Sequence, residues 1–166
     1  CAWLCVPWSV PVTLQTFGIF VTVGFLGKKR GTVAILLYLL LGVVGLPVFA
    51  GFQGGPGSLF GPTGGYLIGF IFTGYLSGSV LQRYGEKTWV MVAAFALGLF
   101  ACYLFGTLWY VWGYTGQSSP ASFFWALSQC VIPFCIPDGL KMVLAIWVLK
   151  RVKPIYVKMW GKLGEN

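Results

Sequence analysis

A chain of 166 residues could form one ordinary domain, but 58% of this one is hydrophobic, 8% is charged and the mean hydropathy is +0.84. A soluble domain carries roughly a quarter charged residues, so there is too little charge here to cover a water-facing surface, and the apolar excess must face lipid. The net charge of +8 does not point to nucleic acid, because nearly all the Lys and Arg residues lie between apolar segments, as the positive-inside rule predicts, and no basic patch is interleaved with base-stacking aromatics.

In chain order, the opening run CAWLCVPW has no initiating Met and no small-residue cleavage site, and it reads as the tail of a span whose beginning is missing. Apolar segments follow at about 13–27, 31–50, 61–82, 88–112 and 121–150, each long enough to cross a membrane or nearly so with tilt. Breakers stand between them: Gly27 before Lys28-Lys29-Arg30, the loop Gly51-Phe52-Gln53-Gly54-Gly55-Pro56-Gly57, and Gly116 through Pro120. In the 61–82 span, Gly65 and Gly69 are four apart, as are Gly74 and Gly78, a spacing that lets helix backbones approach closely. Packing within the chain and dimerisation both use such a stripe. Residues 1–166 read as a single integral membrane domain.

The charges orient these spans. Lys28, Lys29 and Arg30 fill one short turn, Arg83, Glu86 and Lys87 fill another, and Lys150, Arg151, Lys153, Lys158 and Lys162 follow the last span. The intervening ends carry no charge. Alternate threading puts every basic turn on one side, which is the cytoplasmic one. The expectation is a multi-pass protein of the cell membrane with its C-terminus in the cytoplasm. Restoring one lost helix at the start gives six spans.

Two charges break this pattern, Asp138 and Lys141, and they sit together in Pro137-Asp138-Gly139-Leu140-Lys141. A spacing of three puts both side chains on one helix face. With Lys150 at the inner boundary, Asp138 lies about 18 Å above it, past the midplane of a core about 30 Å thick. Each charge costs at least about 2.5 kcal/mol at such depth, so the two must pair, face a watery cavity or bind something. A purely structural ion pair is one reading. Ligand binding is favoured because Pro133 and Pro137 are expected to break the helix just before the pair, so that a helix starting near Asp138 offers free N–H donors and a positive dipole end. The outer loop 51–61, with Gln53 and Ser58, has the composition of a lid or of a plain connector. Gln15, polar inside a span, needs a hydrogen-bond partner, which another helix supplies as readily as a ligand.

The five Cys (Cys1, Cys5, Cys102, Cys130 and Cys135) form no CxxC and the chain has no His. The parts of a zinc site and of thiol–His catalysis are therefore missing, and cysteine reads as a small apolar packer. Whether Cys1 and Cys5 pair stays open. Ser–His proteolysis is excluded in the same way, and a two-carboxylate site needs more than the one intramembrane acid. No enzyme, catalytic residue, metal or cofactor is expected.

Several stretches resemble the BioY family, the biotin-specific S components of energy-coupling factor (ECF) transporters. Pro11-Val12-Thr13-Leu14-Gln15-Thr16 is similar to the segment that opens the family's second helix, and Leu37 through Gly51 to its third helix. Gly61-Pro62-Thr63-Gly64-Gly65-Tyr66-Leu67-Ile68-Gly69-Phe70 is similar to its most recognisable motif, and Pro133-Phe134 with Pro137-Asp138-Gly139-Leu140-Lys141 to its last-helix signature. The usual order there has Gly before Asp, whereas here Pro137 precedes it and Gly139 follows.

The resemblance runs from about residue 5 to residue 153. It implies an all-α, six-transmembrane-helix S-component fold with a biotin pocket near the outer surface, the first helix being largely missing from this chain. It assigns biotin binding to Asp138 and Lys141 and places the Gly-rich loop at Gly51–Gly57, with Gln53 as its polar contact. Gln15 and Tyr66 complete the expected substrate-binding set. An Arg near the fourth helix matters in the family, but Arg83, the candidate here, falls on the cytoplasmic side and is not assigned that role. The implied partners are membrane lipid, a transmembrane coupling protein and a pair of ATPases, since the chain has no P-loop of its own. Rival readings are an S component for another water-soluble vitamin and a non-transporting helical scaffold.

Overall fold

The computed structural model describes residues 5–6, 12–115 and 131–163. The first element is a two-residue antiparallel ladder between β1 (Cys5–Val6) and β2 (Val12–Thr13), with Cys5 opposite Thr13 and Val6 opposite Val12. Cys5–Val6 is thus extended, where the opening run was expected to be the tail of a helix. Pro7 accounts for this locally, because its ring pushes the preceding Val6 out of the helical region.

Helix α1 (Gln15–Val44) reverses direction inside its own length. Gly27 adopts φ 74° and ψ −174°, a backbone state that glycine enters without steric cost. The arms 15–26 and 28–44 then lie antiparallel. The Gln15 amide reaches Tyr38, and a Cβ built on Gly31 would stand 3.0 Å from the Val23 Cα. The expected break at Gly27 is therefore a one-residue turn between two spans. The end of the second arm closes with a Schellman motif: Gly45, at φ 112°, donates its amide to the Gly42 carbonyl at 3.1 Å and Leu46 to Leu41 at 3.2 Å.

A 3-10 turn (Ala50–Phe52) and the short helix α2 (Pro56–Phe60) follow, then α3 (Gly64–Tyr84) and α4 (Thr88–Tyr110), which runs on as a π-type turn over Val111–Thr115. The last element is α5 (Ile132–Leu163). Of the span expected at 121–150, the first ten residues lie outside the described ones, and the helix continues past Lys150. Among the described residues, α3 and Thr88–Gly113 are each long and apolar enough to cross a membrane.

The glycine stripe of α3 is used within the chain. A Cβ on Gly69 would come 2.8 Å from Cys102 Sγ of α4, and one on Gly78 would come 2.6 Å from the Lys28 Cα of α1. The closeness lets hydroxyls bridge helices directly. Thr73 donates to the Gly98 carbonyl at 3.0 Å and Ser77 to the Ala94 carbonyl at 2.9 Å. Helix α5 buries a stripe of Phe134, Asp138, Lys141, Met142, Ala145, Ile146 and Leu149, at the three-and-four spacing of one helix face. Its opposite face (Ile136, Leu140, Val143, Trp147) is exposed and apolar, as a lipid-facing surface must be. One core cluster joins α5 to α4 and the first arm of α1, with Phe20 stacked on Phe95 at 4.6 Å between ring centres. A second, around Ile35, Leu39, Phe49 and Phe70, joins the second arm to α3.

Candidate functional site

Helix length places three polar side chains at one height. Lys150 of α5 hydrogen-bonds Thr88 at the start of α4, which levels the basic ends of these two helices. Counting outward, Asp138 lies about 18 Å from Lys150, Tyr103 about 22 Å from Thr88, and Thr16 about 18 Å from Lys28 at the α1 turn. Three helices thus bring Asp138, Tyr103 and Thr16 together in the half of the molecule away from the basic end.

They meet at the Asp138 carboxylate, which is only 3% exposed. Its Oδ1 accepts from Lys141 Nζ at 2.6 Å and from Thr16 Oγ1 at 2.9 Å, and its Oδ2 accepts the Tyr103 hydroxyl. Lys141, 7% exposed, is one turn further along α5 and forms the ion pair that the spacing of three predicts. A charge buried this deeply persists only when paired and hydrogen-bonded, and here the carboxylate gathers donors from the first arm of α1, from α4 and from α5.

The local reason for this placement differs from the expected one. Pro133 and Pro137 do not end a helix before the pair. Helix α5 begins at Ile132 and runs through Pro137, with the Val131 carbonyl accepting from Phe134 at 2.9 Å and Cys135 at 3.2 Å. Pro133 falls in the first turn, where a missing N–H costs nothing, and Pro137 removes one bond of the second turn. Asp138 therefore stands inside a helix, and the amides of the first turn at Phe134 and Cys135 are already bound to the Val131 carbonyl instead of standing free beside it.

The remaining expected site residues are distributed around this node. Gln15 is adjacent to Thr16 in sequence but points to the other arm of α1. Its Nε2 donates to Tyr38 Oη at 2.6 Å, its Oε1 accepts from Thr13 Oγ1 at 2.9 Å, and the Tyr38 hydroxyl in turn donates to the Val48 carbonyl at 2.9 Å. This is the interhelical bond of the two alternatives, and it ties the first arm to the outer loop. Tyr66 of α3 lies 3.3 Å, Oη to Oγ1, from Thr107, which is one turn outward of Tyr103 on the same face of α4. Gln53 is exposed on the outer loop. That loop is pinned down: the Gly55 amide donates to the Gly42 carbonyl at 2.7 Å, Phe49 to Gln53 at 3.0 Å, and the buried Phe49 ring sits where a Gly42 Cβ would be. Arg83 is exposed near the basic end, in the last turn of α3.

Sequence reading did not single out Thr16, Tyr103 or Thr107. A signal existed. Tyr103 and Thr107 are hydroxyls within an otherwise apolar helix, and matching each polar side chain to the depth of Asp138 would have selected Tyr103 and Thr16.

The family model of the BioY family matches residues 1–158. The chain is 38% identical to the biotin transporter BioY of Thermotoga maritima, over 95% of this chain and 89% of the relative. It is 36% identical to a probable biotin transporter BioY of Pyrococcus horikoshii, over 87% and 81% respectively. Among solved structures it is similar to the S-component for biotin from an ECF-type ABC transporter, with a TM-score of 0.77 and 28% identity, covering 92% of this chain and 82% of that one. Its helices are apolar, its fold is that of an S component, and its relatives are named as transporters. This all-α membrane chain belongs to the BioY family.

Proposed function

We propose that this chain is a biotin-binding membrane subunit for biotin uptake and that Asp138 and Lys141 form the polar centre of its ligand site. The observation that carries the reading is a buried acid–base pair held between three helices, away from the basic end, in a family whose relatives are named as biotin transporters. Biotin carries a ureido ring with two N–H donors and a carbonyl acceptor, an apolar thiophane and a carboxylate. Asp138 suits the N–H donors and Lys141 an oxygen, while the aromatic rings of the outer half suit the thiophane. Tyr66 adds a ligand contact from α3 and Gln53 one from the loop after α1, and Gln15, held by Tyr38 of the other arm of α1, completes the set.

The chain acts as a binding subunit and not as an enzyme, and works as a single membrane domain without a resident cofactor. It crosses the membrane several times, with the basic end and the C-terminus in the cytoplasm. With no P-loop in its sequence, it depends on a transmembrane coupling protein and a pair of ATPases for energised release.

The test is biotin binding by the purified protein in detergent, beside Asp138→Asn and Lys141→Ala. Wild type should bind tightly and both variants, still folded, should lose about 100-fold or more, as expected when one partner of a desolvated charged contact is removed. A folded wild type that ignores biotin but retains another vitamin would overturn the assignment.

A further inference from the structure

The Asp138 carboxylate can accept about four hydrogen bonds, two on each oxygen. Among the described residues three donors reach it: Lys141 and Thr16 fill Oδ1, and Tyr103 takes one position on Oδ2. Asp138 is only 3% exposed, and the Tyr103 ring that meets it packs against the apolar cluster of Phe20, Phe95 and Met142, so water is not a ready fourth partner. We infer that Tyr103, with Thr16, is a positioning residue that clamps the Asp138 carboxylate so that a single acceptor position, on Oδ2, is aimed at one ligand N–H.

This inference rests on the biotin reading above and deepens it, because the arrangement selects one of the two ureido nitrogens. Three donors from three helices hold the carboxylate plane, and a plane held in advance costs a ligand little to engage. Without the Tyr103 hydroxyl, Oδ2 offers two open positions and the carboxylate can turn about its Cβ–Cγ bond. The contribution of the ligand N–H then falls while the aromatic packing stays, since Phe retains the ring.

The experiment is a double-mutant cycle between protein and ligand. Calorimetry would compare biotin with two analogues, each methylated at one ureido nitrogen, on wild type and on Tyr103→Phe. In wild type, methylation at one nitrogen should weaken binding about 10- to 100-fold, the scale of a hydrogen bond to a charged group. In Tyr103→Phe, biotin itself should bind about tenfold more weakly, and the penalty for that methylation should shrink by a similar factor. An unchanged methylation penalty in Tyr103→Phe would show a merely structural Tyr103 and overturn the inference. So would a wild type indifferent to methylation at either nitrogen, although biotin binding would then still stand. If wild type does not bind biotin at all, the underlying reading fails and this one with it. Should Tyr103→Phe not fold, Thr16→Val carries the same cycle, with the same two outcomes, from the Oδ1 side.

Discussion

Among the described residues there are two carboxylate–lysine pairs, one in each half. In the half away from the basic end Asp138 and Lys141 share one helix, are almost wholly buried, and are reached by hydroxyls from two other segments. Near the basic end Lys153 of α5 pairs with Glu86 in the turn between α3 and α4, and that Glu86 side chain is 49% exposed. Lys153 also donates to the Gly24 carbonyl at 2.8 Å, three residues before the reversal at Gly27. The inner pair is a surface tie with water at hand. The Asp138–Lys141 pair has almost no exposure, and a pair so desolvated is costly unless its charges are matched and further hydrogen-bonded. Burial, not the pairing itself, sets the Asp138–Lys141 pair apart from the surface pair.

The sharpest way to break this comparison is to remove one partner at a time. Asp138→Ala should destabilise the protein by about 3–5 kcal/mol, because it strands the Lys141 charge, whereas Asp138→Leu combined with Lys141→Met should recover most of that loss. Thermal unfolding in one detergent would check both, and the double variant should still bind no biotin. A folded double variant that binds biotin would disprove the role of the pair.

A smaller effect should come from the packing that sets the helices at these distances. Gly78→Val pushes against the Lys28 backbone, which has no flexible end to yield, and should cost about 1–3 kcal/mol by overpacking. The same unfolding assay reads it.

The smallest effect belongs to the inner pair. Glu86→Gln should change stability by less than about 1 kcal/mol, with the change fading as salt is raised, and should leave biotin affinity as it was. A large loss of binding from this substitution would mean that the two ends are coupled.

Particular residues show how far the linear order could be read. The Gly27 turn, the spacing of Asp138 and Lys141 and the glycines of α3 were all legible, because each depends on neighbours within a few positions. The course of α5 through Pro137 was not. A proline at the sixth residue of a helix reads locally as a stop, and only the packing of the Phe134 to Leu149 stripe against α1 and α4 outweighs the lost bond. Gln15 shows the same division: the sequence demanded a partner for it, and the fold of α1 onto itself selected Tyr38.

Composition, charge placement and motif order by themselves determined that this is a helical membrane chain, how its basic ends are grouped, and which two ionisable residues stand out of place. Those properties follow from transfer free energies that each residue carries wherever it lies. The tertiary structure alone decided that Thr16 and Tyr103, 87 positions apart in the sequence, converge on one carboxylate. Their meeting depends on the relative heights of three helices, and such a height is set by side-chain packing between segments and is not encoded within any one of them.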